Sequence, residues 1–306
     1  MQNARVIQER SQFYIRSEPH DSCVEAWTAW HLPYMKRTPA QLRYRAGLRN
    51  AIKGLGAVGG VRGTYTSDID TPNLDTENVL FYNVGAAPFR DVATQILRFG
   101  RIHASPPPSP SLLASKFLHH VKYESATQRN FKGTELVHCL PVVLEGIHEL
   151  RDKKRMARLW WLFKHRVVKA ARATWSPGDP FAVQLQISVP AKCRLNLAHI
   201  VKPVIDGFLS AFHHYEGEQL NDVADRIAAL LDQPVQDVRR LLRNEKNALL
   251  GPQALPHLRG KGLQWSPADH HLIAGEILCG RPTDDQRVKI GGCFFKPKRR
   301  SVSRPL

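Results

Sequence analysis

The chain predicts an α+β fold, and three observations carry that prediction. A segment in which apolar and polar residues alternate strictly, 181–190, reads as a half-buried strand. Apolar positions at spacings of three and four over 149–174 read as a helix. Further β-like runs then return at 265–280 and 288–295, so strands and helices mix through both halves. With 306 residues, 42% of them hydrophobic and 23% charged, the chain has the composition of a globular protein with a sizeable core.

In chain order, residues 1–60 read as mostly helical, with Trp27 and Trp30 in an aromatic patch and Pro33 and Pro39 dividing it. The helix candidate 40–53 is basic through Arg43, Arg45, Arg49 and Lys53, and stops at the turn GLGAVGG. A β-like VRGTYTS follows, then an acidic turn and the apolar run VLFYNVG at 79–85. The stretch SPPPSPS at 105–111 has polyproline composition and marks a linker or surface loop, separating an N-terminal α+β region (1–104) from a second domain (112–295).

A strand interrupted at Pro141 is predicted over 135–147. In the helix 149–174, Met156, Trp160, Phe163, Val167 and Ala170 form one stripe, with Lys154, Arg158, His165, Lys169 and Arg172 opposite and Trp161 beside them. This phase makes one face a core contact and the other a basic rail, with Trp161 available to stack on bases. In strand 181–190, Val183, Leu185, Ile187 and Val189 share a face, and Gln184, Gln186 and Ser188 point away. Two short helices occupy 219–243, in the manner of a helix-turn-helix but without its usual turn glycine. The tail 296–306 is basic and reads as disordered.

Charge narrows the partners. There are 44 Lys and Arg against 27 acids, a formal net charge of +17. An excess of that size points to a polyanion, with DNA or another structured nucleic acid the commonest. Five scattered cysteines with no CxxC pair point to reduced thiols and a cytoplasmic setting. No apolar run approaches the ~20 residues of a membrane span, so no membrane partner is expected. Phosphate-cradling loops, nucleophile elbows and the dinucleotide fingerprint are missing, since GLGAVGG leads into a strand. The histidine doublets at 119–120, 213–214 and 270–271 lack zinc spacing and read as solvated or structural.

The densest chemistry lies in 181–215, where the strand runs through a polar turn into a helix reading Lys202-Pro203-Val204-Ile205-Asp206-Gly207. This layout resembles the RusA-type Holliday-junction resolvases, whose strand is followed by D-x-D-N-[LIV]-x-K and then P-V-[LI]-D-[AG]. Counted back from Lys202, the two carboxylates of that turn fall at Asn196 and Ala198, and the asparagine at His199. The resemblance implies a further acid at Asp269, and a RusA-like core with 219–243 as a two-helix insertion. It also implies Mg2+ held by carboxylates, phosphate contacts from Lys202 and His199, and a homodimer or larger complex. Without carboxylates at 196 and 198 the second half alone looks catalytically impaired, because holding divalent metal for phosphodiester cleavage takes several.

Residues 75–80, Asp75-Thr76-Glu77-Asn78-Val79-Leu80, carry the acidic pattern that 196–201 lacks. One reading is a duplicated half-domain whose first copy kept Asp75 and Glu77 and whose second kept Lys202 and Asp206. Another is a single composite site. A third is a solvated loop whose acids cap turns. The functional expectations follow suit: a nucleic-acid-binding protein with an impaired nuclease core, an active Mg2+-dependent endonuclease using Asp75, Glu77, Asp206 and Asp269, or a structural subunit with no nucleic-acid role.

Overall fold

Period-two apolar alternation builds the frame, as expected of strands with one face on a core. The computed structural model describes residues 5–9, 12–17, 23–56, 59–69, 74–110, 117–127, 133–166, 168–170, 176–246, 248–260, 262–265, 267 and 269–297. The first strands are β1 (Arg5–Glu9), β2 (Phe13–Ser17), β3 (Cys23–Thr28), β4 (Gly60–Ser67), β5 (Ile96–His103) and β6 (His119–Ser125). They are followed by β7 (Gly133–Leu144), β8 (Val168–Ala170) and β9 (Phe181–Ser188). Short pairs β10 (His213–Tyr215) with β11 (Gly251–Gln253) and β12 (His257–Arg259) with β13 (Gly262–Gln264) stand apart, before β14 (Leu272–Cys279) and β15 (Val288–Pro297). The remaining eleven form one mixed sheet in the order β1-β2-β3-β6-β4-β5-β14-β9-β15-β7-β8.

That order contains a repeat. Taken in chain order, β3, β4, β5 and β6 stand as β3-β6-β4-β5, and β7, β9, β14 and β15 stand as β7-β15-β9-β14. In each set the first two pairings are antiparallel and the third is parallel. The connections correspond as well. Helix α1 (Pro39–Lys53) links the first two strands of the first unit, and α2 (Arg155–Lys164) those of the second. The next connection begins with a wide helical turn, Asn78–Tyr82, in the first unit and with helix α3 (Leu197–Ser210) in the second. The units join through antiparallel β5 and β14, whose register from Ile96↔Leu278 to Gly100↔Ala274 centres on Arg98 opposite Glu276. A two-fold axis through that pair would generate this arrangement.

Helices cover one face of the sheet. Phe13 of β2 meets Tyr44 of α1 edge-on at 5.5 Å, and Phe294 of β15 stacks on Phe208 of α3 at 5.1 Å. Val183, Leu185 and Ile187 are buried on this side, as their alternation predicts. On the opposite face Glu276 is fully buried, accepting from Arg98 Nε (2.8 Å) and Gln184 Nε2 (2.6 Å). Helix α3 is apolar almost all round because the sheet, α2 and the Asn78–Tyr82 turn enclose it. The architecture is α+β, and no helix among the described residues is long and apolar enough to cross a membrane.

Several expectations are corrected. Residues 1–60 are not mostly helical: β1, β2 and β3 precede α1, because Phe13 with Ile15 and Val24 with Ala26 bury alternate residues against it. Pro39 is not a breaker but starts α1, behind a Thr38–Gln41 capping box. The helix predicted over 149–174 is only α2: His165 folds its ring onto the Trp161 carbonyl (2.8 Å), and Val168–Ala170 becomes β8 against β7. The β-branched Val168 suits that extended end. Strand β7 runs on through Pro141 by way of a register shift opposite β15. Helix α3 follows its cap Asn196, and Pro203 falls in its second turn.

Two expected helices, α4 (Leu220–Leu231) and α5 (Val235–Leu242), do pack together, turning at Asp232 with a left-handed backbone (φ 55°). The Pro-rich stretch connects β5 to β6, both of which pair with β4, so the sheet continues across it. Trp27 Nε1 donates to Pro107 O there at 2.9 Å. Of the basic tail 296–306, the part beyond 297 lies outside the described residues.

Candidate functional site

Asp75 and Glu77 stand at the entrance to the Asn78–Tyr82 turn. The Asp75 carbonyl accepts from the amides of Asn78 (3.1 Å) and Val79 (3.2 Å), while Asn78 Nδ2 donates to Asp75 Oδ2 at 2.5 Å. The D-x-E-N pattern is therefore a local fastening: the asparagine reaches back to orient the first acid. On α3, Lys202 and Asp206 are one turn apart and so share a face.

The two segments, 127 residues apart, meet at one ammonium. Lys202 Nζ lies 3.2 Å from Asp75 Oδ2, 3.2 Å from Glu77 Oε1 and 2.9 Å from Asp206 Oδ1. Glu77 is fully buried and Asp206 nearly so, while Asp75 and Lys202 reach the wall of a cleft of about 340 Å3. Tyr34, Tyr82 and Arg155 complete much of that wall. Three carboxylates face one cation. Burial raises the Glu77 pKa, Lys202 draws it back down and Asp75 pushes it up again.

Residues 76–78 carry unmet oxygens. Glu77 Oε2, Asn78 Oδ1 and Thr76 Oγ1 are buried without a hydrogen-bond partner among the described residues. Leaving such atoms unpartnered costs about 1–3 kcal/mol each. A hard cation with oxygen preference suits this donor set, and nitrogen or sulfur ligands are missing from the named group.

Of the sequence-predicted residues, Asp75, Glu77, Asp206 and Lys202 are brought together. Asn196 serves as the cap of α3: its Oδ1 accepts from Ala198 N (3.2 Å) and its Nδ2 donates to Ala86 O (2.9 Å). Ala198 is buried, and His199 is exposed, three residues before Lys202 on α3. Asp269 opens a short helical turn leading into β14, where Leu272 pairs with Phe181. That is the end of β9 away from the turn holding Asn196; the Asp269 side chain lies outside the described residues.

The basic rail does not form as predicted. Arg158 is held by Glu149 (3.1 Å) and Asp152 (3.7 Å), and Lys154 is the residue before α2, donating its amide to Asp152 Oδ1. Trp161 packs against the core with its ring 4.4 Å from that of His165. Lys169 sits in β8, and Arg172 lies outside the described residues. Lys164 points inward, donating to His213 O at 2.5 Å, and burial pulls its pKa down to about 8.

The histidines read as structural in two of the doublets. His119 Nδ1 lies 2.7 Å from Tyr65 Oη, His120 packs at a tilt against Trp27 with ring centroids 4.7 Å apart, and His213 Nδ1 lies 3.1 Å from Gly251 O. A group the sequence did not suggest is Glu135, His138 and Cys293, whose ligating atoms fall within 4.8 Å of one another. Register alone joins them, as Cys293 of β15 faces His138 of β7. Comparison with protein-family models, curated proteins and solved structures finds no match to this chain.

Proposed function

We propose that this chain binds nucleic acid and cuts phosphodiester bonds in it with a divalent metal, Mg2+ or Mn2+, held by Asp75, Glu77 and Asp206. The observation that supports it is the meeting of these three carboxylates around Lys202 at an open cleft. The net charge of +17 supports a polyanionic substrate. When bound, such a metal polarises a phosphoryl oxygen and makes bound water a better nucleophile. The chain's own residues do the rest. Asn78 fixes the Asp75 carboxylate, and α3 holds Asp206 at one angle to it. Lys202, at the cleft wall, meets a non-bridging phosphate oxygen once one of its three carboxylate contacts passes to the metal. The unpartnered Glu77 oxygen, buried next to Asp75, offers a further acceptor. On this reading the repeat supplies, within one chain, Asp75 and Glu77 from one unit and Lys202 and Asp206 from the other.

A second reading is a nucleic-acid-binding protein that does not cut. Its support is the ammonium of Lys202, which itself stands among the three carboxylates and offsets part of their charge. The test is incubation of branched and linear DNA with wild type, Asp206→Asn and Asp75→Asn, with and without Mg2+ or Mn2+. Metal-dependent products that fall at least about 100-fold in either variant, with binding retained, support cleavage at this site. Salt-sensitive binding without products supports the second reading. Failure to retard any nucleic acid at low salt removes both.

A further inference from the structure

Beside the cleft lies a surface that the carboxylate chemistry does not use. Tyr34 and Tyr82 stack on each other with centroids 4.9 Å apart and planes 25° apart. Both line the cleft, yet they remain 53% and 41% exposed, and neighbouring Met35 is 66% exposed. Large aromatic side chains normally bury their faces, so a pair left open at the mouth of a cleft is a platform for another flat group.

Arginines border the platform. Arg37 Nη2 (3.2 Å) and Arg45 Nε (2.8 Å) donate to the Asn83 carbonyl, and Arg49 Nη1 donates to the Val84 carbonyl at 3.3 Å. Asn83 itself lines the cleft. The approach depends on Gly85, whose φ is +92° and where an added Cβ would meet Arg45 Nη2 at 2.8 Å and Arg49 Nη1 at 3.0 Å. None of the three arginines forms an ion pair among the described residues. The charges nearest Arg45 are those of Arg49 and Arg37, and burial together with this repulsion lowers its pKa. Capping the end of one helical turn uses a minority of fifteen or so guanidinium N–H donors. Three like charges held together without an acid make an anion site.

We propose that this surface holds an unpaired nucleotide, its base on the Tyr34–Tyr82 pair and its flanking phosphates on Arg37, Arg45 and Arg49. The substrate class is thereby narrowed to nucleic acid with a single-stranded segment beside the bond to be cut, because a paired base does not offer its face. This inference rests on the nucleic-acid reading above and adds the strandedness that reading leaves open.

The experiment is fluorescence anisotropy on the full chain without metal, using a single strand and a blunt duplex of equal length across a salt series. Thermal melts accompany each variant. Wild type is expected to prefer the single strand. Tyr34→Ala with Tyr82→Ala is expected to weaken single-strand binding about tenfold, leaving the duplex within about twofold. Arg37→Gln, Arg45→Gln and Arg49→Gln together are expected to flatten the single-strand salt slope by about 2. The corresponding triple lysine variant keeps that slope while binding more weakly, which carries the test should the glutamine variant melt early. Single-strand binding unchanged in the tyrosine variant, or a slope unchanged in the glutamine variant, overturns the inference while the nucleic-acid reading stands. A tyrosine variant that alters self-association by sedimentation, with binding intact, also overturns it, in favour of a protein contact. Wild type that binds neither probe removes the nucleic-acid reading itself.

Discussion

The two units of the sheet share a strand order and differ in what their second connections carry. In the first, Asn78–Tyr82 is one helical turn capped at Asn83, and the acids before it, Asp75 and Glu77, face Lys202. In the second, α3 continues to Ser210, and Lys202 and Asp206 project from its middle. Where the first unit has Asp75 on an ammonium, the second has Asn196 capping a helix; where the first buries Glu77, the second buries Ala198. The difference teaches that a site incomplete in either unit is assembled across both. A missing carboxylate in one copy is then no measure of the chemistry available to the molecule.

The junction is the most sensitive place to break this relation. Replacing Arg98 with Ala leaves Glu276 buried with only Gln184 as a named partner at the centre of the β5–β14 pairing. A loss of about 3–5 kcal/mol is expected, read as a fall in the urea midpoint. Retention of the wild-type midpoint would show that the two units are not held by this pair. Next comes the packing that is particular to the second unit. An added Cβ at Gly207 would meet Leu159 Cβ of α2 at 2.7 Å, and Met156 O at 3.4 Å. Gly207→Ala should therefore cost about 1–3 kcal/mol in the same assay and disturb the lie of Lys202.

The smallest effect separates stability from function at the composite cluster. The Glu77 pKa is raised in the folded state, mainly by burial. The neutral form is favoured there, so its contribution is fully present below the ordinary value of 4.5 and is lost as pH climbs through the raised folded value. Glu77→Gln, fixed in the neutral form, should raise the midpoint near neutral pH and raise it less in acid; on the proposed reading it also abolishes metal-dependent cleavage. A variant less stable at neutral pH than in acid, relative to wild type, contradicts this assignment of cause.

Much of the second unit was legible before any coordinates. The alternation in β9, the polar turn and the Lys202–Asp206 spacing are local properties, and local periodicity is what a sequence displays. The pairing of D-x-E-N with K-P-V-I-D could be posed as a composite site but not decided, because sequence spacing says nothing about which strands become neighbours. The N-terminal strands were missed since β1, β2 and β3 are short and their alternation is brief. The basic rail failed for another reason. A helical stripe was extended past His165, where a side-chain bond to the Trp161 carbonyl and a β-branched residue end the helix. Of its charges, Arg158 was already matched by Glu149 and Asp152, acids upstream in the chain.

A lone cluster on a frame with two-fold strand order has a directional consequence. The Asp75–Glu77–Lys202–Asp206 group sits to one side of the axis that would pass through Arg98 and Glu276, and Asn196 with Ala198 gives its counterpart no acids. On the proposed reading, a symmetric branched substrate meets the molecule in two inequivalent orientations, and only one sets a strand against the acids. Each encounter then yields a nick. A second, opposed nick requires release and reversal of the substrate, or a second copy of the chain.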